Sequence, residues 1–257
     1  MKQKRKLILV SNDDGIDARG LKFLIDIVKP FGDLLVVAPD KGQSGMSHSI
    51  SSFDPLRVSK IEESEKIAIY SVSGTPVDCV KLAINSLLDR KPDLMVSGIN
   101  HGSNAAINII YSGTMGAAIE ASLHGIPSIG FSVDDHSKNA DFSIVESHGP
   151  VLIKKVLENG LPEQVSLNVN YPVVNKNDFK GYMVCRQTAG VWKEGFDKRI
   201  DPLGKDYYWY TGKFYNFEPD DNATDEWALK NNYAAIVPVK PDFTEYNLIN
   251  ELKKWNI

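Results

Sequence analysis

A chain of 257 residues can bury a sizeable core, and 42% hydrophobic with 24% charged residues is an ordinary globular composition. A net charge of −4 excludes a global basic field for duplex nucleic acid or an anionic membrane, so any phosphate must be met locally. Cys79 and Cys185 are too few for a disulfide framework, and no apolar stretch approaches the roughly 20 residues of a membrane span.

The basic start, Lys2, Lys4, Arg5 and Lys6, looks like a signal n-region, but the apolar run behind it stops at Ser11. That run is too short for a secretory h-region, and a cytoplasmic protein is expected. Leu7-Ile8-Leu9-Val10 reads as a buried strand that ends abruptly in Ser11-Asn12-Asp13-Asp14-Gly15. Such a run needs both faces covered, as in a parallel α/β sheet, and such sheets bind ligands beyond the carboxyl ends of their strands. Asp13 and Asp14 therefore fall on the binding edge. Adjacent carboxylates repel unless a cation or proton lies between them, and oxygen ligation suits a hard divalent ion. The plainer reading is an Asp-Gly turn capping the next helix.

Residues 18–29 carry Leu21, Leu24, Ile25 and Val28 at helical spacing, and Leu34 to Ala38 forms a second apolar strand, closing a right-handed parallel unit. The glycine- and serine-rich loop 40–52 leaves the same edge and offers Ser44. Residues 56–58 and 67–72 look like shorter strands. Thr75-Pro76 opens a helix, with Thr as N-cap and Pro in the first turn. Leu94 to Ser97 is another strand, ending in a loop that holds Asn100, His101, Ser103 and Asn104. Ser112-Gly113-Thr114 then starts a small-residue helix whose free N–H groups would seat a phosphate. Strands at 126–131 and 165–169 flank a helix over 142–157. Beyond that, residues 182–220 alternate and carry many aromatics, so they read as hairpin strands. A strand at 234–238 and a final helix through Leu248, Leu252 and Trp255 close the chain.

The expected fold is α/β, a mostly parallel sheet with helices on both faces, plus a C-terminal β-hairpin arm for oligomerisation. Residues 1–175 form the metal- and phosphate-binding core; residues 176–257 are an extension packing on the core and on neighbouring subunits. Asp13, Asp14, Ser44 and Asn100 converge as oxygen donors, and Asn104, Ser112, Gly113 and Thr114 stand where a phosphate would. On residue type alone Ser44 and Asn100 are more often turn residues than ligands, and Ser112 and Thr114 more often simple helix caps; it is their joint occurrence that points to a site. His48, His101 and His124 have no partner visible in the sequence.

The ordered segments LILVSNDDG, VVAPDKGQSG, SGTPVDCVKLA, PDLMVSGINHGSN and YSGTMGAAIEA resemble the SurE (survival protein E) family of metal-dependent nucleotidases. The resemblance is dense over the first half of the chain. It implies a Rossmann-like core, one Mg2+ or Mn2+ per subunit, and hydrolysis of nucleoside 5′- and 3′-monophosphates; with no Asp-x-Asp nucleophile pair in the chain, attack by metal-bound water is expected. It also implies a homodimer or homotetramer. The ligand set it implies is Asp13, Asp14, Ser44 and Asn100, with Asp13 and Asp14 catalytic. Ser103 stands where many members have proline. A haloacid-dehalogenase-type phosphatase would need an aspartate two positions before Asp14, where this chain has Asn12. A nucleotide-sensing module with the same seat but no turnover is the remaining alternative.

Overall fold

The side chains of Ile8, Leu9 and Val10 in Leu7–Ser11 (β1) have no solvent exposure, and an apolar run covered on both faces belongs in the middle of a sheet. The structure, a computed structural model, describes residues 5–255; Lys2 and Lys4 of the basic start lie outside them. The remaining strands are β2 (Asp33–Pro39), β3 (Val58–Glu63), β4 (Ile67–Val72), β5 (Leu94–His101), β6 (Ser128–Val133) and β7 (Ser166–Tyr171). They are followed by β8 (Tyr182–Val184), β9 (Gly190–Ile200), β10 (Asp206–Asn216) and β11 (Ala234–Val239). One nine-stranded sheet runs β3-β4-β2-β1-β5-β6-β7-β11-β8, and β9 and β10 make a separate two-stranded sheet. In the large sheet only β3 on β4 and β11 on β7 are antiparallel.

Alternate residues of β1 point to opposite faces, and each face has its own helices. On one side Ile8 and Val10 pack with α1 (Arg19–Val28) and α4 (Ser143–Asn159) through Leu21, Leu24, Val145 and Ile153. On the other, Leu9 packs with α2 (Pro76–Leu82) and α3 (Gly113–Leu123) through Val80, Ala117 and Ala121. Each fully buried aliphatic side chain contributes about 1.5–3 kcal/mol, so these two layers fix where the strand ends point. Helix α2 starts as its sequence indicates: Thr75 and Asp78 form a reciprocal capping box, with Pro76 in the first turn. It continues as a π-helical stretch over Ala83–Leu87.

The α/β fold expected from the sequence is the one found, with three differences of detail. First, β5 does not stop at Ser97. Its register against β6 shifts between Ser97 and Asn100, and Gly98 takes φ +123°, a conformation that side-chain-bearing residues rarely adopt. Asn100 therefore sits on a bulged strand end rather than in a free loop. Second, the 3-10 turn Ala106–Tyr111 and the short helix α5 (Asp225–Lys230) have no helical periodicity long enough to read. Third, the last third of the chain is less separate than its aromatic content suggests: β8 and β11 are strands of the main sheet, and only the β9–β10 ribbon stands apart. Helix α6 (Tyr246–Leu252) has no buried residue and runs into the 3-10 turn Lys253–Trp255 that ends the described chain.

Candidate active site

From β1 the chain turns to β2 on one side, while β5 lies on the other. At such a reversal of strand order the loops diverge and leave a crevice beyond the carboxyl ends. Asp13 and Asp14 follow β1, Ser44 follows β2, and Asn100 lies near the end of β5. The three predicted elements thus share one edge, at the one place where the topology opens it.

Asp13 is 3% exposed and accepts a 2.5 Å hydrogen bond from Thr114 Oγ1, with a weaker contribution from the Thr114 backbone amide. Burial pushes its carboxyl up to about 6; the Thr114 hydrogen bond pulls it down, and the charge of Asp14 pushes it up again. The backbone also joins two loops here, since Gln43 N donates to Asp13 O at 2.7 Å. Asp14 is raised by burial, opposed by the charge and backbone N–H of His101, the residue next to Asn100. Its Oδ2 is buried without a hydrogen-bond partner, as is Asn12 Oδ1, although Asn12 Nδ2 donates to Gly15 O at 3.0 Å. Orphaned buried oxygens are rare in folded proteins and call for an occupant.

Asn100 directs its amide nitrogen to Gly102 O at 2.8 Å, leaving its carbonyl oxygen as the group it can offer a ligand. Ser44 is exposed in the loop that Gln43 pins to Asp13. Two carboxylates, a hydroxyl and an amide oxygen suit a hard divalent cation, and the partnerless Asp14 Oδ2 fits that donor set. Among the described residues no group of three or more His, Cys, Asp and Glu could hold a metal. Ser44 and Asn100 are the neutral oxygen donors on the same edge as the two carboxylates.

The residues assigned to phosphate are arranged differently from one another. Ser112 Oγ caps α3 by accepting from Met115 N at 3.0 Å, and Thr114 is turned onto Asp13. The positive end of α3 thus holds a carboxylate as well as facing the crevice. A Cβ on Gly113 would come within 2.8 Å of Asp13 Cβ and 3.1 Å of its Oδ2, so the helix start and the carboxylate are in direct contact. Asn104 is buried, with Nδ2 on Ser132 Oγ at 2.9 Å. Its backbone is clamped between Asn170 Oδ1 (2.7 Å from its N) and Asn168 Nδ2 (2.8 Å from its O). In this arrangement Asn104 pins the loop that follows the strand end bearing Asn100.

Two groups escaped the sequence reading. Asn168 and Asn170 alternate on an apolar strand, so both fall on one face of β7, where Asn170 Nδ2 donates to Asn168 Oδ1 at 2.9 Å. Glu120, a lone acid in a helix of glycines and alanines, meets His48, Lys81 and His124. Its isolation in that helix was the available signal.

Fold and site together define a Rossmann-like α/β protein with an acidic crevice at its topological switch point. The family profile described as "Survival protein SurE" matches residues 8–194. Relatives named "5'-nucleotidase SurE" are 51% identical in Flavobacterium psychrophilum, covering 98% of each chain, and 52% identical in Christiangramia forsetii, covering 100% of this chain and 99% of that one. The crystal structure of a SurE protein from Aquifex aeolicus superposes with TM-score 0.84 at 38% identity, over 98% of this chain and 100% of that one. This chain belongs to the SurE family.

Proposed function

We propose that the protein is a metal-dependent phosphoric monoester hydrolase, a 5′-nucleotidase that also accepts nucleoside 3′-monophosphates. One observation carries the metal-dependent reading. Asp13 and Asp14 lie together at the switch point, with a carboxylate oxygen buried and unpartnered beside Asn100 and the loop of Ser44. The names of full-length relatives support the nucleotide as substrate.

Asp13, Asp14, Ser44 and Asn100 would hold Mg2+ or Mn2+, one per chain. When bound, the cation lowers the pKa of a coordinated water and offsets phosphate charge. Thr114 keeps the Asp13 carboxylate in place, and Asp14 Oδ2 is the atom free to act as ligand or proton acceptor. The remaining N–H groups at the start of α3, around Gly113, stabilise the phosphate without a basic side chain. Asn12 cannot form the acyl-phosphate of an Asp-x-Asp phosphatase, which favours direct attack by water with no phosphoenzyme. Hydrolysis then inverts configuration at phosphorus. Retention with a chiral, isotopically labelled ester would contradict that.

The β9–β10 ribbon supports assembly into a homodimer or homotetramer. A lone hairpin is marginal in water, and this one leaves Phe196 and Leu203 67% and 82% exposed. Among the described residues no helix is long and apolar enough to cross a membrane. Cys79 and Cys185 are both unpaired, which suits a reducing cytoplasm. The deciding experiment is phosphate release from 5′-AMP and 3′-AMP with Mg2+ or Mn2+, with a chelator control. Steady turnover that the chelator abolishes supports the hydrolase. Nucleotide binding without turnover would instead establish the sensing module.

A further inference from the structure

Glu120 is 3% exposed on α3, yet carries three cationic or protonatable partners. Its Oε2 lies 2.9 Å from His48 Nε2, and its Oε1 takes Lys81 Nζ at 2.6 Å and His124 Nε2 at 3.2 Å. Burial alone would raise this carboxyl, but the hydrogen bonds from His48 and Lys81 hold it down at about 2, so it stays ionised. The mechanism above makes no use of this cluster.

The His48 backbone lies against α3 one turn from the phosphate end of the crevice, and its ring reaches Glu120 about one turn further along. A Cβ on Gly116 would come within 2.7 Å of Ser47 O and 3.4 Å of His48 Cα, so the loop of Ser44 lies directly on α3. Ser47 also donates to Ile110 O at 2.5 Å, and its N–H donates to Tyr111 O at 3.1 Å. Gly116 is only three residues, about 4.5 Å of helix, from the Gly113 that touches Asp13. Beside it opens a mostly apolar cavity of about 870 Å³, which Ser47, His48, Ser112, Ile109, Ile119 and Val239 help to line. The helix cap of the phosphate seat and the imidazole thus border one space, of a size that holds a small-molecule ligand.

We propose that His48 and Glu120 form a proton-donating dyad for the leaving nucleoside, whose sugar and base occupy this cavity; this rests on the nucleotidase reading above. His48 Nε2 faces Glu120, while Nδ1 makes no hydrogen bond to the described residues and is the donating atom. A water oxygen bonds to phosphorus as the bond from phosphorus to the nucleoside oxygen breaks. The departing oxygen keeps that electron pair and takes the Nδ1 proton of imidazolium, the water's protons pass to solvent, and solvent reprotonates His48. Glu120 is the positioning residue: it orients the ring and balances its charge, while Lys81 and His124 share the same carboxylate. Arg186 and Lys240 are the other charged groups on the cavity wall.

The test compares 5′-AMP, whose alkoxide must be protonated, with p-nitrophenyl phosphate, whose phenolate leaves without a proton. In His48→Gln, kcat for AMP falls about 10²-fold, and the loss on the aryl ester is at least about tenfold smaller. The alkaline limb of the AMP pH profile disappears in His48→Gln, and Glu120→Gln lowers kcat for AMP more than for the aryl ester, with melting followed to confirm folding. Equal losses on both esters, or no loss on AMP, overturn the dyad. Wild-type protein that turns over neither ester with Mg2+ or Mn2+ overturns the nucleotidase reading itself, and the dyad with it.

Discussion

The end of β1 and the β9–β10 ribbon are both rich in apolar residues, yet the chain treats them oppositely. In β1 Ile8, Leu9 and Val10 are covered from both faces, and burial extends fully to Asp13 and partly to Asp14, carboxylates that would be better solvated elsewhere. On the ribbon, Trp209 and Tyr210 stay about 60% exposed on strands that pair only with each other. The first region is complete in contacts and incomplete in charge, which is the basis for the proposed cation seat. The second is complete in hydrogen bonds along its own ladder and incomplete in contacts, which is the basis for the proposed assembly. Perturbing one region should leave the other's property intact.

The largest expected effect is at the carboxylates. Asp13→Asn should lower turnover by at least ~10³-fold, about 4 kcal/mol in barrier. Because it removes a buried charge, the melting temperature of metal-free protein should hold or rise. Steady-state kinetics beside calorimetry would show the two moving apart. Gly113→Val comes next, for its side chain would drive into Asp13. A displacement of about 1 Å is worth roughly 10²-fold in rate, and overpacking costs about 1–3 kcal/mol. Kinetics and denaturant unfolding should show both.

A third effect follows from Glu120. Its folded-state carboxyl, held at about 2, lies below the ordinary 4.5. The stability it contributes is therefore present above about 4.5 and is lost as pH falls toward 2. Unfolding free energy in Glu120→Gln should be lower at pH 7 by about 2 kcal/mol and should lack this part of the acid-side decline. The smallest effect on chemistry belongs to the ribbon. Replacing Tyr208, Trp209 and Tyr210 by serine should shift sedimentation to smaller species, while turnover per chain stays within a factor of about 3.

The sheet was legible because its central strands β1, β2 and β5 carry apolar runs that a doubly covered position tolerates, and the spacing of Leu21, Leu24 and Val28 marks a helix between the first two. The edge bearing Asp13, Asp14, Ser44 and Asn100 followed from parallel connectivity alone. What stayed hidden depends on tertiary contact. Nothing local says that Thr114 turns onto Asp13 rather than toward a ligand, or that Glu120 reaches back to His48 across 72 positions. The placement of β8 in the main sheet was concealed by the alternating pattern it shares with the ribbon. Short, irregular elements such as α5 have too few turns to show a period.

The central claim is that the β1 edge is a cation seat built from two carboxylates and two neutral oxygens. Calorimetric titration of metal-free protein with Mn2+ tests it most directly, in wild type, Asp13→Asn and Asn100→Ala. One ion per wild-type chain, with binding abolished in Asp13→Asn and weakened about 10–100-fold in Asn100→Ala, is the expected result. Unchanged stoichiometry and affinity in Asp13→Asn would contradict it.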